Sequence, residues 1–387
     1  MKNIWTYKRF DEIMKPAKVI KCGQRDDLPV LSITMHGGIV NQNERFGKTI
    51  ASKDRSNYKV VKNGQLVIAF PIDEGLLYTQ DVAPEGIMSP AYNIWDVDYN
   101  QIDKRFLVSF FHSDFAFAYY KAKLRGSTQR RRSMDKGDLL SMPIPVPELS
   151  VQKQIVSELD LLRGIIEKQN AQIDELGRFT QAIFYEMFGD PITNEMGWEM
   201  KKLGEEVTDM KYGTSRPACE NGKYKYLRMG NITMDGYLDL SDIKTIDVPE
   251  GEIEKCIVRY GDILFNRTNS HELIGKTCMF DLSEDMVIAG YIIRVRLSEK
   301  VLPRYFSIMF NLPSIRKYLR SIAKGAVNQA NINSKELSSI KIPVPPLFLQ
   351  QEFAAKIESI ESMKAKVRKS MKESEELFKS RMDYYFN

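Results

Sequence analysis

Seven cations, Lys121, Lys123, Arg125, Arg130, Arg131, Arg132 and Lys136, stand between positions 121 and 136 against one acid, Asp135. Gly126, Ser127, Thr128 and Gln129 lie among them. Lysine and arginine neutralise phosphates, while arginine and glutamine each offer paired hydrogen-bonding groups that fit base edges. A solvated face would explain the charge alone. Far along the chain, however, a matching stretch is polar instead of cationic, with Lys324, Asn328, Gln329, Asn331 and Asn333. A merely solubilising surface gains nothing from so many amides. Three polar turns add to the set: Lys211, Thr214, Ser215 and Arg216 in "KYGTSRP", Arg228 and Asn231 in "YLRMGNI", and Arg267 and Asn269 in "NRTN". Residue types and clustering point to nucleic-acid contact.

Patterns for catalysis are missing. No G-x-x-x-x-G-K-[ST] phosphate loop, no G-x-G-x-x-G and no G-x-S-x-G elbow occurs. "GDPIT" (189–193) has part of the Asp/Asn-Pro-Pro-aromatic pattern of amino-methyltransferases but lacks its second proline and aromatic. Its Gly189 and Pro191 read as a helix stop. Cys22, Cys219, Cys256 and Cys278 are widely spaced, as are His36, His112 and His271. That spacing argues against zinc ribbons, a catalytic metal and a disulfide framework, and it fits a reducing cytoplasm. The expected metal set is none, the expected catalytic set is none, and no run of about 18 apolar residues suggests a membrane span.

These candidates need positioning, and the chain repeats its positioning device. "SMPIPVPELSVQ" (141–152) returns as "SIKIPVPPLFLQ" (339–350), an offset of 198 residues that also carries Gln152 onto Gln350. After the first copy, Ile155, Leu159, Leu162, Ile166, Gln169, Ile173, Leu176, Thr180, Ile183 and Met187 are spaced alternately 4 and 3 apart. This is a heptad seam on a long helix. The second copy gives Phe353, Ile357, Ile360, Lys364, Val367, Met371, Ser374, Phe378, Arg381 and Tyr385, an amphipathic stripe with polar interruptions. Each helix of roughly 37 residues would be ~55 Å long. Prolines exclude the preceding phrase from a helix interior or a central strand, so it runs extended and sets the angle at which the helix leaves. The nearest partner for each seam is the other copy, paired antiparallel as a coiled coil.

At 387 residues, with 43% hydrophobic and 10% aromatic residues, the chain is globular and long enough for two or three domains. The net charge of +5 matters less than its clustering. Residues 1–143 and 191–341 read as two heads of one mixed α/β fold. "YKVVKNGQLVI" (58–68) and "KCIVRYGDILF" (255–265) each predict a strand, a glycine turn and a second strand. Residues 144–190 and 342–387 hold the proline phrases and helices. The fold class is α+β with pseudo-twofold symmetry.

Two divergent heads alternating with two such helices, led in by "IPVPEL" and "IPVPPL" and closed in the first copy by "FYEMFGDP" (184–191), resemble the specificity subunit of a Type I restriction-modification system. The resemblance covers essentially the whole chain. It implies a non-catalytic DNA reader whose heads are target recognition domains, each reading half of a bipartite site in double-stranded DNA. The helices would serve as a ruler and as the platform for two modification (methyltransferase) subunits. Those subunits would carry S-adenosylmethionine, leaving this chain without a cofactor, and restriction/translocase subunits would join the complex. The family's Gly-Ser/Thr-Gln loop falls on Gly126, Ser127 and Gln129 and on Gly325, Asn328 and Gln329; its Gly-Thr-Ser turn falls on Gly213, Thr214 and Ser215. A self-sufficient nuclease and a coiled-coil scaffold or repressor are the alternatives from other classes. Lys364, Ser374 and Arg381 depart from an apolar seam, and low identity between the heads implies two different half-sites.

Overall fold

The computed structural model describes residues 5–25, 27–35, 37–46, 54–125, 133–326 and 329–387. The chain is α+β and forms two compact units, one of residues 1–169 with 370–387 and one of residues 170–369. Each unit therefore contains a head and portions of both long helices, Leu149–Phe188 and Leu347–Phe386.

In the first unit the strands Met14–Pro16, Asn93–Val97, Leu66–Ile68 and Leu77–Thr79 form an antiparallel sheet in that order. Helices Lys104–Phe111 and Asp114–Lys123 join it to a core of Phe10, Phe106, Phe110, Phe111 and Tyr120, all fully buried. The second unit has an antiparallel sheet of Val207–Tyr212, Ile292–Leu297, Ile263–Asn266 and Thr277–Met279 and a mixed sheet that includes Tyr224–Leu227 and Met286–Ile288. Its helix pair, Pro303–Phe310 and Pro313–Ile322, takes the place of the first unit's pair. The starts differ chemically. Asp103 caps the first helix by accepting from the Arg105 and Phe106 amides, whereas Pro303 and Pro313 open theirs at a position needing no N–H.

Both predicted glycine turns form, with Gly64 at φ 84° and Gly261 at φ 89°. The strands flanking the first turn enter different sheets, since Lys59–Lys62 pairs with Glu85–Met88 while Leu66–Ile68 pairs with Leu77–Thr79 and Asn93–Val97.

The proline phrase is an edge strand in both units. Pro143–Pro145 pairs with Tyr7–Arg9, and Lys341–Pro343 pairs with Met200–Lys202, each as a two-stranded antiparallel ladder. A two-stranded ladder leaves one edge of each strand unpaired, so prolines missing an N–H are tolerated. Just beyond, Gln152 and Gln350 are fully buried. The Gln152 Oε1 accepts from the Asp103 amide at 2.7 Å, and its Nε2 donates to the Gln101 and Pro147 carbonyls at 3.0 and 2.7 Å. Gln350 repeats the arrangement with the Leu302 amide at 2.8 Å and the Lys300 and Pro345 carbonyls at 2.9 and 2.8 Å. One amide thus locks the start of each long helix to the loop before the head's helix pair.

The seam residues of the first unit run antiparallel. The Gln169 Nε2 donates to Ser370 Oγ at 3.0 Å, and Arg381 binds the Glu158 carboxylate, with a second hydrogen bond at 2.9 Å. Ile155, Leu159 and Leu162 are buried, while Ile166, Met371 and Phe378 are half-buried. In the second unit Phe353, Ile357 and Ile360 are buried, and Ile173, Leu176 and Val367 are half-buried. One expectation needs correction. The stripe does not continue through Ile183 and Met187, which are only half-buried; Phe184 and Phe188 take over, fully buried. The second helix makes the same one-residue change, with Met382 and Phe386 buried and Arg381 and Tyr385 half-buried. At these ends the helix packs against its head: Phe184 lies 5.5 Å from Tyr305, and Phe386 lies 5.2 Å from Phe106 (ring centroids).

Candidate nucleic-acid interface

Asp209 and Arg294 hold the edge of the second unit's antiparallel sheet. Arg294 is fully buried and donates to Asp209 Oδ2 at 2.5 Å and to the Glu254 carbonyl at 3.2 Å. Burial works against the Asp209 charge, but this guanidinium keeps its carboxyl below the ordinary range. From that edge the chain runs through Lys211 and Tyr212 into the Gly213-Thr214-Ser215 turn. Gly213 is required there: a Cβ would stand 2.1 Å from the Ile288 carbonyl oxygen. This close approach lets the Thr214 amide donate to the Ile288 carbonyl at 2.9 Å, and the Gly290 amide donate back to the Thr214 carbonyl at 2.8 Å.

Two predicted segments far apart in sequence meet beside this turn. Strand Thr268–Asn269 pairs with Gln329–Asn331, which pairs with Lys324–Ala326. Arg267, Asn269, Gln329, Asn331 and Lys324 therefore gather at one small sheet. Thr268 donates to Asn331 Oδ1 at 3.0 Å. Tyr212 joins the group through its hydroxyl, which donates to Ser334 Oγ and accepts from the Ser334 amide, both at 2.9 Å. Its ring lies under Arg267, with Cζ 4.8 Å from the centroid. Lys324 reaches Glu336 at 2.6 Å and, with the Asn333 amide, holds that carboxyl below its ordinary range.

Other candidates do not join. Asn231 is buried and accepts from the Arg228 amide at 2.8 Å while donating to the Asp239 carbonyl at 2.8 Å, so it is corrected from a DNA-contacting residue to a loop-forming one. Arg228 pairs with Asp242 at 2.7 Å, and Arg216 pairs with Glu252 at 2.8 Å. Lys244 and Arg228 depress the Asp242 pKa, and Arg216 depresses that of Glu252.

In the first unit, Lys121, Lys123 and Arg125 are at the exposed end of helix Asp114–Lys123 and the strand after it. Lys123 and Arg125 share one carboxylate, Asp138, at 3.1 and 3.2 Å. Strands Leu124–Arg125 and Ser133–Met134 pair antiparallel. Ser127, Gln129, Arg130, Arg131 and Arg132, together with Asn328 of the second head, lie outside the described residues. No group of three or more His, Cys, Asp or Glu residues is placed to hold a metal among the described residues. No helix there is long and apolar enough to cross a membrane.

Tyr212, Thr268 and Ser334 were not legible as partners of this site. Their hydrogen bonds span 63 to 122 residues of sequence, and no local pattern marks them.

The arrangement can present a planar cation and several amides to a polar, hydrogen-bonding ligand. Comparison with known proteins agrees in kind. The profile described as Type I restriction modification DNA specificity domain matches residues 195–374. The EcoKI specificity subunit of Escherichia coli K12 is 28% identical over 235 residues, covering 56% of this chain and 50% of that protein. The chain thus spans about half the length of curated relatives that it matches. Among solved structures, a chain from work on complex assembly and conformational transition of the type I R-M system aligns with a TM-score of 0.57 at 18% identity, over 99% of this chain and 97% of the other. The Type I restriction-modification S subunit of M. genitalium aligns with a TM-score of 0.53 at 13% identity, over 100% and 98%. These two likenesses establish a shared fold. Residues 195–374 thus match the Type I restriction modification DNA specificity domain, and the chain is similar to Type I restriction enzyme specificity subunits.

Proposed function

We propose that this chain is the DNA-recognition subunit of a Type I restriction-modification complex. Each head reads one half of a bipartite site, with no catalytic group or cofactor of its own. The observation that carries this reading is the convergence of Arg267, Asn269, Lys324, Gln329 and Asn331, from two separated segments, around one small sheet, with the Tyr212 ring under Arg267. Arginine and amide side chains at fixed positions suit base edges, and the exposed Lys324, though it reaches Glu336, suits a phosphate. Chemistry is left to partner modification subunits, which bring S-adenosylmethionine, with restriction subunits joining them.

The repeat also supports docking of two copies of one partner. Ile165 and Phe179 are exposed at 37% and 56% although both lie on a helix with a buried seam. An offset of 198 residues carries them onto Met363 and Leu377, exposed at 52% and 49%. Apolar side chains kept outside at equivalent places in both copies suit two equivalent docking surfaces.

The test is DNA binding by the chain assembled with its modification subunits, measured against salt. Replacing Arg130, Arg131 and Arg132 with alanine should weaken binding and reduce the salt slope by about one unit for each phosphate that is no longer neutralised. Unchanged affinity and slope would assign those arginines to solvated surface. Metal-dependent cleavage by the purified chain alone would contradict the non-catalytic reading.

A further inference from the structure

The second unit contains seven arginines between Arg216 and Arg304. Six have a carboxylate within 4 Å: Arg216 with Glu252, Arg228 with Asp242, Arg259 with Glu254, Arg294 with Asp209, Arg296 with Asp262 and Arg304 with Asp281. Among the described residues Arg267 has none. It is also fixed in place. Its amide donates to the Tyr291 carbonyl at 3.0 Å, and its carbonyl accepts from the Ile332 amide at 2.9 Å. The guanidinium lies on the Tyr212 ring, and that ring is fastened through its hydroxyl to Ser334. Within the described residues, Nη1 has a single partner at the outer limit of a hydrogen bond, the Gly290 carbonyl at 3.5 Å, and Nε is buried without one. Arg228 and Arg294 also leave Nε unmet, but each has its carboxylate, so of these seven Arg267 alone combines an unmet donor with no acid partner among the described residues.

We infer that Arg267 is a specificity-determining residue that donates its terminal nitrogens to the O6 and N7 atoms of one guanine in the major groove. A stacked, oriented guanidinium with no acid beside it among the described residues is pre-organised for a planar, two-acceptor target, and guanine presents that pair on its major-groove edge. A guanidinium can also fork onto a phosphate, but a phosphate contact carries no base identity, so the methylation motif separates the two. This inference rests on the DNA-reading function proposed above and deepens it by naming a base.

The experiment is modified-base sequencing of a host carrying the intact gene, R267Q or R267K on the chromosome with its partner genes. Wild type should give one split methylation motif. R267Q and R267K should both make one guanine of that motif degenerate, with roughly 10- to 100-fold less discrimination there and the other positions retained. An unchanged motif in R267Q overturns the inference. So does loss in R267Q with an unchanged motif in R267K, which would make Arg267 a phosphate-binding residue. If both variants lose methylation altogether, the wild-type complex is tested on duplexes with 7-deazaguanine at each guanine in turn. Weakened binding at one position then supports the inference, and equal binding at all of them overturns it. Absence of any split motif in wild type instead defeats the DNA-reading function, and this inference with it.

Discussion

Gln350→Leu is expected to destabilise the chain by about 4 kcal/mol, and Gln152→Leu by a similar amount. Leucine fills nearly the same volume, so packing is conserved and the loss is polar. In the Gln350 variant the Leu302 amide and the Lys300 and Pro345 carbonyls lose a partner held at 2.8 to 2.9 Å. Each buried group left unpaired costs ~1–3 kcal/mol, and water cannot easily replace a fully buried amide. Gln350→Glu adds a second signature. A carboxylate would face two carbonyls, so only its protonated form can still donate, and the variant should be less unstable near about pH 5 than at neutrality. Denaturant midpoints of the purified chain check both expectations. A loss below about 1 kcal/mol for Gln350→Leu would mean that the clamp is not what fixes the helix start.

Lys364→Leu should cost about 3 kcal/mol in the same assay. Lys364 is buried on the second long helix, with Nζ 2.8 Å from the Tyr237 hydroxyl and 3.1 Å from Glu361 Oε1. Tyr237 in turn donates to Glu361 at 2.6 Å. Burial pushes the Tyr237 hydroxyl pKa up, and the Glu361 carboxylate that accepts its proton adds to the rise. Removing the ammonium leaves that carboxylate with the Tyr237 hydroxyl but no countercharge beside it, and breaking one partner of a buried pair costs ~3–5 kcal/mol. Glu361 keeps some access to solvent, with its side chain 21% exposed, which places the expectation at the lower end. The double variant Lys364→Leu/Glu361→Leu should recover most of the stability. If the double variant were as unstable as the sum of its parts, the ion pair would not be the source.

Lys364 also shows where a sequence stops being readable. By spacing it occupies a seam position and looks like a flaw in a coiled coil. In the folded chain it answers Tyr237, 127 residues away, which no helical pattern announces. Arg381 is similar, since its partner Glu158 lies 223 residues earlier. The seam itself was legible because heptad spacing is local, and it was misread only where the helices leave that spacing for Phe184, Phe188, Met382 and Phe386. There the packing partner is a head, and a helix on a head needs no alternation of 3 and 4. The repeated glutamines were visible as a coincidence of position. Their purpose depends on carbonyls and amides about 50 residues away and could not be seen.

The interface divides in the same way. Composition marked Arg267 and Asn269, and separately Lys324, Gln329 and Asn331. That these belong together follows from the pairing of Thr268 with Asn331, a long-range register that polar turns do not encode. Arg216 and Arg228 look equally suitable in sequence, but neither lies in or next to a strand of that small sheet, and each pairs with a local acid, Glu252 and Asp242.

The measurement that bears most directly on this account is the pattern of modified bases in the host genome with this gene intact and deleted. Recognition by a two-headed specificity subunit predicts that one split motif of N6-methyladenine, with different halves and a fixed gap, disappears on deletion. An unchanged methylation pattern in a host that expresses the partner modification subunits would contradict it.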